Sequence, residues 1–254
     1  MNVLIIGLGS IAQKHIKALR SLKFKFEIYA LRSKENAKEF QGIANIYDLK
    51  KTNLVFDFAI ISNPTQLHRE YIELLMKMKI DLFIEKPPVS SLEGVDDMII
   101  KLKENNIKTY VACNLRFHPC IIFIKNYINE NSFKKINEVN VYCGSYLPDW
   151  RPNKNFRKTY SAIPELGGGV HLDLFHELDY THWIFGNPEN TQRLTRNVSS
   201  LDILSMDYAN YILEYKYFTV NIILNYYRKD SKRTIEILFK NETLTIDLIK
   251  NTVF

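Results

Sequence analysis

The stretch GGGVHLDLFHELD at residues 167–179 joins three glycines to an apolar segment that carries ionisable side chains. These side chains belong to His171, Asp173, His176, Glu177 and Asp179. Burying such groups costs several kcal/mol unless they are paired or used in chemistry. The spacing predicts one helix over about residues 170–185, on which Asp173 and His176 share a face and reach the same site. Asp179 could orient His176, and Glu177 and His171 are read as structural or rim groups. A helix with satisfied buried polar residues is the alternative.

A second group of residues, GLGSIA at positions 7–12, follows the pattern G-x-G-x-x-A between a predicted strand and a predicted helix. Gly7 permits a tight turn, Gly9 lets a pyrophosphate approach the backbone, and Ala12 allows close packing of the helix on the sheet. The phosphates would lie on the N–H groups of the helix N-terminus, with Ser10 as its N-cap. The context favours dinucleotide binding over a bare structural turn.

The second strand ends in Arg32-Ser33-Lys34, where an acid usually holds the ribose 2′-OH of the cofactor. A cation at this position suits a 2′-phosphate, so the sequence predicts NADP as the preferred cofactor, with NAD as the alternative. A solvated basic strand end is the structural interpretation of the same residues.

Lys86 lies in Glu85-Lys86-Pro87, at the carboxyl end of a predicted buried strand. Ligands bind at this edge of an open α/β sheet, where a lysine can polarise or protonate a substrate oxygen. The alternative is a lysine that extends to solvent beside a proline turn. His68, in SNPTQLH at residues 62–68, is as consistent with a structural hydrogen bond as with a cofactor contact.

The surrounding pattern predicts two domains, residues 1–118 and residues 119–254. In the first, strands near residues 2–7, 26–32, 56–62, 81–88 and 108–114 alternate with helices near 10–22, 64–78 and 92–105. This alternation is typical of an α/β fold with a doubly wound parallel sheet. In the second, helices near 120–129 and 170–185 accompany a strand at 136–146 and several strands after residue 191. A few helices followed by a run of consecutive strands predict an α+β domain built on a largely antiparallel open sheet.

The bulk composition disfavours several other classes of protein. The chain has 254 residues and a formal charge of +6, but its basic residues are dispersed, which disfavours nucleic-acid binding and is compatible with anionic small ligands. Three cysteines without a CxxC pair indicate reduced thiols, and we predict no metal site. The absence of a signal-peptide pattern and of a long apolar run predicts a cytoplasmic protein with no membrane contact.

Taken together, GLGSIA (7–12), SNPTQLH (62–68), EKP (85–87), NLRFHP (114–119) and GGGVHLDLFHELD (167–179) resemble the glucose-fructose oxidoreductase, inositol dehydrogenase and MocA family. The resemblance implies a Rossmann domain, an α+β domain whose open sheet commonly mediates oligomerisation, and a homodimer or homotetramer. It also implies that Lys86, Asp173 and His176 are catalytic. Two departures are visible: many members place the histidine four residues after the aspartate, and members usually continue beyond the position of Phe254.

The resulting prediction is an NAD(P)-dependent oxidoreductase that acts on a secondary alcohol or ketone of a sugar or nucleotide sugar. The resemblance of SYLPDWRP and FHELDY to members from bacterial surface-sugar pathways favours an amino- or deoxy-sugar. An inactive NADP-binding regulator and an NAD-dependent glycosidase are the alternatives. The predicted cofactor-binding residues are Gly7, Gly9, Ser10, Ile11, Ala12, Arg32, Ser33, Lys34, Ser62, Asn63, Pro64, His68, Glu85, Lys86 and Asn114. The predicted substrate contacts are Lys86, Arg116, Trp150, Arg151, Tyr160, Asp173 and His176.

Overall fold

The computed structural model describes residues 1–34, 37–131 and 135–254 of the chain. Contacts between residues divide it into two compact units, Met1–Ala112 and Cys113–Phe254. The division falls a few residues before the domain boundary that the sequence predicts.

The first unit is a six-stranded parallel sheet with the strand order β3-β2-β1-β4-β5-β6. Its strands are β1 (Asn2–Ile6), β2 (Glu27–Leu31), β3 (Ala44–Ile46), β4 (Phe58–Ile61), β5 (Asp81–Ile84) and β6 (Thr109–Val111). Its helices are α1 (Ser10–Ser21), α2 (His68–Lys77) and α3 (Val95–Glu104). The predicted doubly wound parallel sheet is therefore confirmed, although β3 was not predicted.

The sheet of the first unit is buried on both faces, which explains why β1 is apolar throughout. Val3 and Ile5 belong to the core that contains Ile16 of α1, whereas Leu4 and Ile6 belong to the core on the opposite face. Successive side chains of a strand point to opposite faces, so a strand covered on both sides needs apolar residues at every position.

The second unit is a seven-stranded mixed sheet with the order β13-β12-β11-β7-β10-β9-β8. Its strands are β7 (Ile136–Tyr146), β8 (Asn190–Arg196), β9 (Tyr208–Glu214), β10 (Thr219–Asn225), β11 (Tyr227–Phe239), β12 (Thr243–Asp247) and β13 (Thr252–Val253). Its helices are α4 (Pro119–Asn131), α5 (Val170–Asp173) and α6 (His176–Phe185). Among the described strands of this second sheet, only β7 and β10 pair in parallel, so the predicted α+β unit with a largely antiparallel sheet is confirmed.

The single helix predicted over about residues 170–185 is wrong. The helix ends at Asp173, Leu174 follows with φ −94° and ψ 37°, and a new helix begins at His176. Asp173 and His176 thus lie on different helices, and the argument from helical spacing that placed them on one face fails. Asp173 binds Tyr226, which lies between β10 and β11, and Glu177 binds Arg233 of β11; such tertiary contacts override local helical preference.

All three cysteines are buried thiols. In the described ranges of the chain, we find no helix that could cross a membrane.

Candidate functional site

The glycine turn after β1 has a conformation that only glycine adopts easily. Gly7 has φ +84°, and a Cβ atom there would lie 2.7 Å from the Asn63 Cα atom. Backbone atoms cannot move aside cheaply, so a side chain at Gly7 would strain the turn whether or not a ligand is bound.

Gly9 differs from Gly7, because a Cβ atom at Gly9 would meet no described atom within 4 Å. Gly9 is the N-cap of α1, and no side chain in the described residues caps this helix. The prediction of Ser10 as the N-cap is wrong; Ser10 and Ile11 instead open the helix, while Ala12 packs in the core. Open space at Gly9 beside N–H groups that lack a side-chain cap is the geometry of a pyrophosphate-binding turn.

The segment after β4 lies against this turn. Ser62 donates its hydroxyl to the carbonyl oxygens of Ile6 (3.1 Å) and Gly7 (3.0 Å). Both polar atoms of the Asn63 amide are buried and have no hydrogen-bond partner in the described part of the chain, and Pro64 is exposed. Buried polar atoms without partners are costly, so the Asn63 amide fits a ligand that supplies both a donor and an acceptor.

His68 joins the segments that follow β4 and β5. Its Nδ1 lies 3.1 Å from the Pro87 carbonyl oxygen, and its Nε2 lies 2.9 Å from that of Asn63. Burial lowers the pKa of His68, although the two carbonyl contacts act in the opposite direction. The sequence left open a structural hydrogen bond and a cofactor contact for His68. The two carbonyl contacts are those that a structural role requires.

Lys86 follows β5 and is half-buried, between Glu85 and a cis bond to Pro87. Glu85 is held on both oxygens: Oε1 lies 2.6 Å from His15 Nε2 of α1, and Oε2 accepts the Lys86 backbone N–H at 3.2 Å. The Glu85 carboxylate therefore joins β5 to α1 and fixes the backbone that carries Lys86. His15 was not singled out from the sequence.

The end of β2 presents the predicted basic residues. The Arg32 Nη1 atom lies 3.4 Å from both the Lys38 carbonyl oxygen and Asn45 Oδ1, which are long contacts for a guanidinium. Ser33 and Lys34 are exposed. The two residues that follow lie outside the described ranges.

In the second unit, the glycines before α5 bring a loop against that helix. A Cβ atom at Gly168 would lie 2.3 Å from the Tyr160 carbonyl oxygen and 2.7 Å from that of Ile163. Gly169, with φ +140°, precedes the first residue of α5. The loop that carries Tyr160 can approach α5 this closely only because residue 168 has no side chain.

The close contact between this loop and α5 accompanies a cluster of one carboxylate and several aromatic rings. Asp173 is buried and accepts the Tyr226 hydroxyl at 2.5 Å. Partial burial, and then the Asp173 charge, raises the pKa of Tyr160 to about 12. The Arg151 guanidinium lies 5.3 Å from the Tyr160 ring, and Trp150 meets Tyr226 edge-on at 5.4 Å. We call these five residues the Asp173 cluster; four were predicted from the sequence, and Tyr226 was not.

Three further residues with predicted roles lie outside the Asp173 cluster: Asn114, Arg116 and Asp179. Arg116 forms a bidentate ion pair with Asp179, at 3.0 Å from Nε and 2.5 Å from Nη2, and it lies 5.8 Å from the Trp183 ring. Asp179 therefore binds Arg116, whereas the sequence suggested that it orients His176. Asn114 is exposed at the start of a short 3-10 helix.

The first residues of α6 alternate between partly buried and buried positions. His176 is half-buried, whereas Glu177 is fully buried and forms a bidentate pair with Arg233 of β11, at 2.6 and 3.1 Å. Glu177 is thus a structural residue and not a rim group.

His171 lies in α5. Burial, and then the charge of Arg193, lowers the pKa of His171, whose Nδ1 has no hydrogen-bond partner in the described ranges.

No group of three or more His, Cys, Asp or Glu side chains that could hold a metal ion occurs within the described residues. The features of a cofactor site thus lie in the first unit, and a cluster of polar and aromatic residues lies in the second.

Comparison with known proteins gives matches for both units. Residues 1–113 match the model of an oxidoreductase family with an NAD-binding Rossmann fold, and residues 125–245 match the α/β C-terminal domain of that family. The chain is 26% identical over 175 residues to the 2,7-anhydro-N-acetylneuraminate hydratase of Escherichia coli strain K12, covering 68% of this chain and 46% of the relative. It is 26% identical over 240 residues to the glucose-6-phosphate 3-dehydrogenase of Bacillus subtilis strain 168, covering 86% and 66%.

A solved structure agrees with the fold. The WlbA dehydrogenase of Bordetella pertussis, in complex with NADH and UDP-GlcNAcA, gives a TM-score of 0.83 at 18% identity, over 97% of this chain and 73% of that chain. The chain spans about half the length of the hydratase.

Proposed function

The chain belongs to the oxidoreductase family with an NAD-binding Rossmann fold, and on this premise we propose that it transfers hydride between nicotinamide and a sugar or nucleotide sugar. The reaction would interconvert a secondary alcohol and a ketone. The observation that carries the proposal is the turn after β1, where Gly7 is closely packed, Gly9 faces open space, and the Asn63 amide lacks a partner in the described part of the chain.

These residues fit a nicotinamide dinucleotide. The N–H groups of Ser10 and Ile11 would hold the pyrophosphate, and the Asn63 amide would bind a polar group of the cofactor. Arg32 would bind a 2′-phosphate, which supports NADP over NAD. When bound, the nicotinamide supplies the hydride acceptor in oxidation and the hydride donor in reduction.

Three side chains would handle the substrate proton and oxygen. In oxidation, an imidazole nitrogen of His176 takes the hydroxyl proton, assisted by the Asp173 carboxylate, and the Lys86 ammonium polarises the oxygen. In reduction the same groups return the proton. Trp150, Arg151 and Tyr160 would bind the sugar, which their grouping around Asp173 supports.

The named relatives support a sugar substrate, since one is a glucose-6-phosphate 3-dehydrogenase and the WlbA structure contains UDP-GlcNAcA. The relative named as a hydratase favours a second candidate, a reaction at a sugar without net change of the cofactor. A homodimer or homotetramer remains a proposal from the family resemblance.

The test is NADPH and NADH binding followed by oxidation and reduction assays over sugars, sugar phosphates and nucleotide sugars, with sugar products analysed directly. Lys86→Ala and His176→Ala should each lower turnover by about 100-fold or more while leaving cofactor affinity nearly intact. Loss of cofactor binding in these variants would contradict the roles assigned. Product formation without net NAD(P)H change would favour the second candidate.

A further inference from the structure

We propose that Tyr226 is a positioning residue that holds the Asp173 carboxylate as an oriented hydrogen-bond acceptor, a role that rests on the proposed function of Asp173. Tyr226 belongs to none of the motifs identified in the sequence, and it lies 53 positions from Asp173 along the chain. The inference rests on the burial of Tyr226 and on the hydrogen bond that its hydroxyl donates to Asp173.

The backbone of Tyr226 is fixed on both sides. It directly follows β10, donates its N–H to the Asp207 carbonyl oxygen at 3.0 Å, and accepts the Leu147 N–H at 2.8 Å. Its ring packs against the Trp150 indole, whose Nε1 donates to Ser145 Oγ at 2.9 Å. The phenol therefore has little freedom to leave Asp173.

The hydroxyl of Tyr226 acts as a permanent donor. Tyr226 is 0% exposed, and its oxygen lies 2.5 Å from Asp173 Oδ2. An ionised carboxylate can only accept, so the phenol must donate. Burial, and then the Asp173 charge, raises the pKa of Tyr226 well above its ordinary value, so the proton stays on the phenol at working pH.

Tyr160 also faces Asp173, but it differs from Tyr226 in exposure. Tyr160 is 39% exposed and can touch a ligand, whereas Tyr226 is fully buried and its hydroxyl is bound to Asp173. This difference assigns Tyr226 to positioning and leaves Tyr160 among the proposed substrate contacts.

The hydrogen bond should matter for chemistry more than for binding. A bond between a phenol and a carboxylate stabilises the charged form and fixes its direction. Without it, Asp173 can still occupy its place, but it assists His176 with the wrong orientation. The loss should appear in kcat, with the KM values for cofactor and sugar nearly unchanged.

The experiment uses the chain of residues 1–254 with Tyr226→Phe, Asp173→Asn and the double variant. Tyr226→Phe should lower kcat by about ten- to a hundredfold, the range expected for a lost hydrogen bond to a charged group. In the Asp173→Asn background the same change should cost less than about threefold, because the two residues act as one unit. Tyr215→Phe is the matched control: it removes a hydroxyl that donates to the Gly186 carbonyl oxygen at 3.0 Å, and kcat should stay within about twofold.

A second measurement does not depend on turnover or on the folding of Tyr226→Phe. In protein labelled with ¹³Cζ-tyrosine, the sequence-specifically assigned Tyr226 resonance should differ between the parent protein and Asp173→Asn, because the substitution removes the charge of the hydrogen-bond acceptor. Equal kcat losses in both backgrounds, a change confined to KM, or a Tyr226 resonance insensitive to Asp173→Asn would overturn the inference. An intact NMR response in a protein that turns over no sugar would instead overturn the proposed function.

Discussion

The buried pair of Glu177 and Arg233 gives the sharpest prediction about stability. Glu177 is 0% exposed, and both of its oxygens bind the Arg233 guanidinium. Burial acts to lower the pKa of Arg233, but the neighbouring carboxylate outweighs it and raises that pKa, so the arginine stays charged. Glu177→Gln keeps the volume of the side chain and removes the balancing charge.

The expected cost follows from breaking one side of such a pair. Leaving a buried charge without its partner costs roughly 3–5 kcal/mol. Because the Arg233 side chain is 24% exposed, water can relieve part of the loss, so we expect about 3 kcal/mol. At roughly 2–4 °C per kcal/mol, the midpoint of thermal unfolding should fall by roughly 6–12 °C.

Urea denaturation and calorimetry of the purified variants measure this cost. Glu236→Gln, on an exposed position of β11, is the matched control and should change the free energy of unfolding by no more than about 0.5 kcal/mol. Replacing both partners, with Glu177→Leu and Arg233→Met, should recover part of the loss, because no unpaired charge remains. If Glu177→Gln is as stable as the control variant, the reasoning about this pair is refuted.

Three further predictions concern the cofactor and pH. Gly9→Val should still fold, with a melting temperature only slightly lowered by the poorer N-cap, since open space surrounds Gly9, yet abolish NADPH binding; an unchanged fluorescence titration would argue against the pyrophosphate site. Arg32→Asp should shift the ratio of dissociation constants toward NADH, and equal ratios before and after would refute the 2′-phosphate argument. Because the pKa of His171 is lowered in the folded chain, its contribution to stability is present above the unfolded value of about 6.5 and is lost as pH falls below it. His171→Asn should therefore reduce the acid-induced loss of unfolding free energy, by up to about 1.4 kcal/mol per pH unit, and an equal loss in both proteins would contradict this.

The strands and the glycine turn could be predicted because local patterns encode them. β1 is a short apolar run followed at once by the glycines, and its burial on both faces leaves a clear signature. β3 escaped prediction because it has three residues, with only Ile46 buried, and so carries no periodic signal. The break between α5 and α6 escaped because apolar and polar residues continue across it with helical spacing.

The candidate site was predictable only in part. The sequence pointed to Trp150, Arg151 and Tyr160 because they lie in one irregular stretch, and the structure groups them around Asp173. The hydrogen-bond partners of the buried acids Asp173 and Glu177 could not be predicted in this way. Tyr226 and Arg233 lie 53 and 56 positions from Asp173 and Glu177, and only the assembled sheet decides which side chains meet.

The position of β7 in the second sheet has a consequence for synthesis on the ribosome. β7 lies between β10 and β11, neither of which follows it directly in the chain. A nascent chain that has emerged only as far as Tyr146 therefore displays Val139 and Val141 on a strand with no neighbour, and this persists until residues beyond 219 have been added. In the first unit, by contrast, β1 can pair with β2 as soon as one helix has been made. The second unit thus depends most on protection from aggregation while the residues between about 146 and 219 are being added.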